Sequence, residues 1–213
     1  VEHPVTELVY SVDLVREQLR IADGKLMLVS EWPLAPRGHA LECRITSEDP
    51  GNGFLPSTGR ISYLRVPAGP GVRWDSGVEA GSDIGLHYDS MLAKLIVHGA
   101  DRAAAIRRME RALRELLVVG VATNQAFLLR LLADPAFGRG EIDIQFLERR
   151  VDLVAPVPNP DRDLHIAVAA ALAEDELRQS RRPAVGNGPD GASAWTGAGR
   201  RDACALRVPA RAG

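Results

Sequence analysis

Hydrophobic and polar residues alternate over Arg37-Gly38-His39-Ala40-Leu41-Glu42-Cys43-Arg44-Ile45. This predicts a strand with two unlike faces, because successive side chains on a strand point to opposite sides. Leu41, Cys43 and Ile45 point toward a core, whereas Ala40, Glu42 and Arg44 share the other face. Arg60 to Val66 predicts a second strand, and the apolar run Met91 to His98, ended by Gly99, predicts a buried strand or a helix end. After Asp101, which is placed to cap, a helical period takes over: Ile106, Met109, Leu113 and Leu116 fall inward and arginines outward. Thr123 or Asn124 caps a further helix, stopped at Asp134-Pro135. Near the start, after a short proline-bearing opening, Ser11 is placed to cap a helix with Val12, Val15, Leu19 and Ala22 at helical spacing, ended by Gly24. A last short helix is predicted over residues 143–150. These elements predict an α+β domain, with a small antiparallel sheet that includes the Arg44 strand packed against the helices at 101–118 and 124–133.

Beyond Val151 the pattern changes. APVPNPDRD reads as a linker, residues 164–179 as an alanine-rich helix, and the glycine- and proline-rich stretch from 181 onward as weakly ordered. This divides the chain into a domain over 1–150 and a helical linker and poorly ordered tail over 151–213 leading toward a further domain.

With 213 residues, 46% of them hydrophobic, the chain is long enough to bury a sizeable core. A net charge of −2 leaves no electrostatic footprint for nucleic acid or an anionic membrane. Lys25 and Lys94 are the sole lysines, which removes most candidates for a phosphate-binding or cofactor-bearing lysine. Cys43 and Cys204 stand far apart with no metal-ligand spacing, so the expected setting is reducing and cytoplasmic, with Cys43 a small core residue. No apolar run has the length of a membrane span and no signal peptide is evident. The chain begins with Val and is expected to be part of something longer.

The polar face of the 37–45 strand admits two readings. It can be a solvated sheet surface, or it can aim Arg44 into a site, where the fixed charge and donor fork of a guanidinium suit an anionic or enolate-like oxygen. The residues alone leave both open.

RGHALECRITSEDP, with VEHPVTE before it and FLPSTG, GVRWDSGVEAG, HYDSMLAKLIVHG and ALRELLVVGVATNQAFL following in order, resembles the C-terminal part of the biotin carboxylase family. The resemblance covers residues 1–150 and implies the biotin carboxylase domain of an acyl-CoA carboxylase α chain of acetyl-, propionyl- or methylcrotonyl-CoA type, with the end of an ATP-grasp fold at 1–25. It implies ATP-dependent carboxylation of biotin with bicarbonate. Glu2 would be the base that deprotonates bicarbonate, and the Val1 amide would help Glu2 hold it. Arg44 would bind the ureido oxygen of biotin and stabilise the enolate. Glu42 would orient Arg44, although a plain surface ion pair is equally open. Asp89 would help hold Arg44 or a neighbouring arginine, with a turn cap as its other reading, and Arg73 would lie at a dimer interface. Pro70 stands where relatives carry an aromatic interface residue, and His87 replaces a tyrosine. His3 and Lys94 are read as structural.

The family's glycine-rich phosphate loop, nucleotide-contacting lysines, magnesium ligands and biotin-accepting lysine are not found in this sequence. ATP, magnesium and biotin would therefore be held mostly outside this chain, and the resemblance implies as partners the N-terminal part of the biotin carboxylase domain, a biotin carboxyl carrier domain, a carboxyltransferase and a second copy in a homodimer. Half of an active site predicts no turnover by the chain alone. The alternative is a non-catalytic assembly or dimerisation module built on the same fold.

Overall fold

The computed structural model describes residues 2–27, 35–154, 168 and 172. In chain order the elements are helices α1 (His3–Tyr10) and α2 (Leu14–Ala22), strands β1 (His39–Thr46) and β2 (Glu48–Asp49), a 3-10 turn (Pro50–Asn52), and strands β3 (Leu55–Pro56), β4 (Gly59–Arg60), β5 (Tyr63–Arg65), β6 (Val72–Ser76), β7 (Asp83–Ile84) and β8 (Met91–Gly99). Helix α3 (Arg102–Glu115), strand β9 (Leu117–Val119) and helices α4 (Gln125–Ala133), α5 (Pro135–Arg139) and α6 (Val151–Val154) complete them. The chain divides into units Val1–Val157 and Pro158–Gly213. Val1, Cys204, the expected helix over 164–179 other than helical Val168 and Leu172, and the expected weak order beyond 181 lie outside the described residues. Among the described residues, no helix is long and apolar enough to cross a membrane.

The alternating stretch becomes β1, the edge of a three-stranded antiparallel sheet of order β1-β8-β6. Met91 to His98 is thus a strand, and it takes the central position that its near-continuous apolar character suits. Gly38 leads into β1 with φ +68°, and a Cβ there would lie 2.3 Å from the Gly99 carbonyl oxygen, so this close approach requires glycine. Cys43 and Ile45 of β1 join Leu95 and Val97 of β8, with Val72 and Trp74 of β6 against them, in one apolar face. That face packs on Ala105, Met109, Ala112 and Leu113 of α3, all fully buried. Asp101 caps α3 as expected, accepting from the Ala104 amide at 2.7 Å.

Three local expectations are corrected, and one further helix appears. From His3 the short opening is helical, as α1, since proline is accepted in a helix's first turn. Ser11 sits in left-handed backbone at the end of α1, and Asp13 caps α2 instead, accepting from the Arg16 amide at 2.9 Å. Val15 and Leu19 of α2 face outward, more than half exposed. Arg60 to Val66 is two short strands, because the backbone changes partner between Ile61, bonded to Ser82 and Gly81, and Ser62, bonded to Val119. Residues 143–150 form turns rather than a helix, as Asp143 folds back to accept from the Gln145 amide and from Arg149.

Asn124 occupies the cap position of α4 without capping it through its side chain. Its side chain instead accepts from the Thr46 amide at 3.1 Å and donates to the Arg44 carbonyl at 2.9 Å, so it clamps the end of β1. Pro135 stops α4 and starts α5, whose first amides are capped by Asp134. Asn124→Ala removes both bonds at a buried position and is expected to cost about 2–3 kcal/mol in urea unfolding.

Candidate active site

The second face of the sheet is polar, and its register brings charges together in rows. Arg44 on β1 lies directly opposite Lys94 on β8, which lies opposite Asp75 on β6. Glu42 lies opposite Ile96, which lies opposite Arg73. Like charges directly opposite one another destabilise a sheet, so the Arg44 and Lys94 pair requires anions nearby.

Helix α1 supplies one at each end. At its start Glu2 makes no side-chain bond to its own helix and reaches the sheet. Glu2 Oε1 accepts a short hydrogen bond from Arg44 Nη2, and Glu2 Oε2 lies 3.8 Å from Lys94 Nζ. Glu42 Oε1 lies 3.8 Å from the same ammonium. At the far end of α1, Glu7 Oε2 accepts from Arg73 Nη1 at 2.7 Å, while Asp75 takes Arg73 in a fork at 2.7–3.0 Å. Those bonds push the Arg73 pKa further up, so its charge is permanent, and they pin α1 across the polar face.

Exposure grades the site. The Arg44 side chain is 55% exposed and Glu2 40%, whereas Lys94 is 19% and Glu42 2% exposed. Arg44 and Glu2 therefore form the outer, reachable pair. Burial acts to raise the Glu2 pKa, but a hydrogen bond with Glu42 and the charges of Arg44, Lys94 and the chain's amino terminus together hold it below the ordinary carboxylate range. Glu42 is pushed the other way, by burial first and by the Glu2 charge second, against the pull of Lys94 and Arg44.

The structure brings Glu2, Arg44 and Glu42 into one cluster and puts Arg44's own ion pair on Glu2 rather than on Glu42. Asp89 stays local: its Oδ1 accepts from the Met91 amide at 3.3 Å and from Ser90, which also donates to Glu48 at 2.6 Å. Among the described residues no arginine bonds to Asp89. Arg73 sits at the other end of α1 from this cluster. Cys43 is on the apolar face, and burial drives its thiol up to about 12, so it behaves as a small apolar group. Lys94, read from the sequence as structural, is a member of the cluster. Its parity was the available signal, since a lysine that alternates with Leu95 and Val97 cannot share their face.

The cluster is able to accept a proton at Glu2 and to present a guanidinium to an oxyanion. Among the described residues no three His, Cys, Asp or Glu side chains are grouped to hold a metal ion. The acids here are instead committed to cations, which does not fit a magnesium site.

Residues 42–149 match the family model described as the biotin carboxylase C-terminal domain. The chain belongs to the biotin carboxylase family. A biotin carboxylase of Haemophilus influenzae is 48% identical over 153 residues, covering 72% of this chain and 34% of that protein. The biotin-dependent acyl-coenzyme A carboxylase alpha3 subunit of Mycobacterium leprae is 54% identical over 136 residues, covering 64% of this chain and 23% of the relative. Among solved structures, the biotin carboxylase domain dimer of Hydrogenobacter thermophilus 2-oxoglutarate carboxylase, in complex with MgADP, ADP and bicarbonate, superposes with a TM-score of 0.71 at 37% identity, covering 74% of this chain and 35% of that one. The chain thus spans about a third of the length of the biotin carboxylase it matches. As in the family resemblance, its α+β architecture is that of the C-terminal portion.

A raised carboxyl pKa stabilises the fold below the ordinary glutamate range, and that contribution is lost as pH rises through the folded-state value. Glu42→Gln, which keeps the shape and removes the titration, is therefore expected to flatten the loss of stability on going from pH 5 to pH 8. Urea midpoints of both proteins at the two pH values measure this.

Proposed function

We propose that this chain carries the proton-accepting and oxyanion-holding part of a biotin carboxylase active site, in an enzyme that carboxylates biotin with bicarbonate at the expense of ATP. The observation that carries the reading is the outer pair itself: a carboxylate held ionised, bonded to a guanidinium that is more than half exposed. Glu2 accepts the hydroxyl proton of bicarbonate, which converts it into a competent nucleophile. Arg44 offers its N–H fork to the ureido oxygen of biotin, where negative charge develops when the ring nitrogen loses its proton. The Glu2–Arg44 ion pair would have to open for substrate to reach either group.

ATP and magnesium would be held by the N-terminal part of the domain, a reading supported by the MgADP complex of the Hydrogenobacter thermophilus domain, of which this chain covers 35%. Biotin would arrive on a carrier domain and leave toward a carboxyltransferase. The level of identity to the Mycobacterium leprae subunit supports an acyl-CoA as final acceptor. The dimeric Hydrogenobacter thermophilus domain supports a second copy as partner; a place for Arg73 near that contact rests on the sequence resemblance alone. The unpaired, buried Cys43 suits a cytoplasmic setting.

The test is reassembly. The chain is mixed with an N-terminal portion of a biotin carboxylase that ends just before the VEHP segment, and bicarbonate-dependent ATP cleavage is assayed with free biotin. The mixture is expected to turn over and the chain alone is not. Glu2→Gln is expected to lower the rate about 10²–10⁴-fold, and Arg44→Ala about 10²–10³-fold. Full activity of either variant, or turnover by the chain alone, would overturn the reading.

A further inference from the structure

We propose that Glu42 and Lys94 position the proton-accepting carboxylate: Glu42 stands in the cluster as the neutral acid and donates its proton to Glu2 Oε2, while Lys94 lies against both carboxyls. The inference rests on the reading of Glu2 given above and adds two positioning residues to it.

If both glutamates are ionised, Glu2 Oε2 and both Glu42 oxygens are buried with no hydrogen-bond partner. Three buried, unpartnered carboxylate oxygens are costly, and Lys94 Nζ, 3.8 Å from Glu2 Oε2 and from Glu42 Oε1, is beyond hydrogen-bond distance of either. One proton on Glu42 changes the account. It makes Glu42 a donor toward Glu2, partners an oxygen on each side, and removes the repulsion of two adjacent anions. Glu42 is the member that must carry it, because its side chain is 2% exposed against 40% for Glu2, and the more buried acid is the harder to ionise.

The charge balance then suits the chemistry. Two cations, Arg44 and Lys94, face one carboxylate, so the cluster carries a net positive charge when an anionic substrate arrives. Glu2 Oε2 is held inside by Glu42, which leaves Oε1, the oxygen on the exposed Arg44, as the one that takes the substrate proton. When it does, both carboxyls are neutral and the two cations face the anion that remains. The opposite directions in which the two carboxyls titrate agree with this placement.

The groups facing Glu42 are Glu2 from the start of α1, Lys94 from β8 and Arg44 from its own strand, and Glu2 also feels the chain's amino terminus. The experiment is a carboxyl-carbon NMR titration of the full 213-residue chain labelled in glutamate. Glu42 is expected to titrate above an ordinary glutamate and Glu2 below. Glu42→Leu removes the donor and is expected to move Glu2 upward. Glu42→Gln, whose amide donates to the same oxygen, is expected to leave Glu2 low, and Lys94→Met to raise both carboxyls. Titration of Glu42 at or below the ordinary range, or a downward move of Glu2 in Glu42→Leu, would show an ionised Glu42 and overturn the inference.

The reassembled enzyme supplies a second readout. Glu42→Leu is expected to shift the acidic limb of kcat/KM for bicarbonate toward higher pH and to lower its plateau roughly tenfold to a hundredfold. Glu42→Gln is expected to restore the limb. The titration needs no turnover, so the two claims fail separately. The expected titration pattern without any turnover upholds the proton placement and defeats the functional reading. Turnover that depends on Glu2 and Arg44 with the opposite titration pattern does the reverse.

Discussion

Antiparallel pairing of β1 with β8 sets Arg44 beside Lys94, and two cations at that spacing on a partly buried face do not stay together without carboxylates. Glu42 comes from the same strand, but Glu2 has to be brought from 42 residues away in sequence. Helix α1 does this. It lies across the polar face with Glu2 against Arg44 at one end and Glu7 against Arg73 at the other. The ion pairs that fix the helix are thus the same contacts that assemble the chemistry, and the site is organised by the requirement for charge compensation.

The other face of the sheet makes this arrangement firm. Cys43, Ile45, Leu95 and Val97 are locked onto α3 in a core where each fully buried aliphatic side chain contributes about 1.5–3 kcal/mol, so the strands cannot slide in register without exposing it. Asn124 holds the Arg44 backbone from the α4 side. Arg44 therefore has a firmly held backbone under a half-exposed side chain, so the guanidinium can be met from outside without reorganising the strand.

Much of this was legible in the sequence wherever a single residue pattern carries the information. The alternation over 37–45 identified both faces of β1, and the capping Asp101 with its helical period located α3. Helix α1 has a weaker signal, because Pro4 suits a connection as well as a helix's first turn, where it leaves no helical hydrogen bond unmade. The face that Lys94 takes is readable from its parity against Leu95 and Val97, but its place opposite Arg44, like the hold of Asn124 on Thr46, depends on a pairing that no local pattern encodes. Glu42 is legible as a neighbour of Arg44 from the alternation of its strand, whereas its contacts with Glu2 and Lys94 and its burial come from the tertiary fold and have no local signal.

The account's central claim is that Glu2 and Arg44 act as one unit. A double-mutant cycle tests it most directly, with Glu2→Gln, Arg44→Met and the combined variant compared for turnover in the reassembled enzyme. Residues that work as a unit give a double variant hardly slower than the worse single one, and that strong non-additivity is the result expected here. Losses that simply multiply would show two residues acting independently, and would contradict the account.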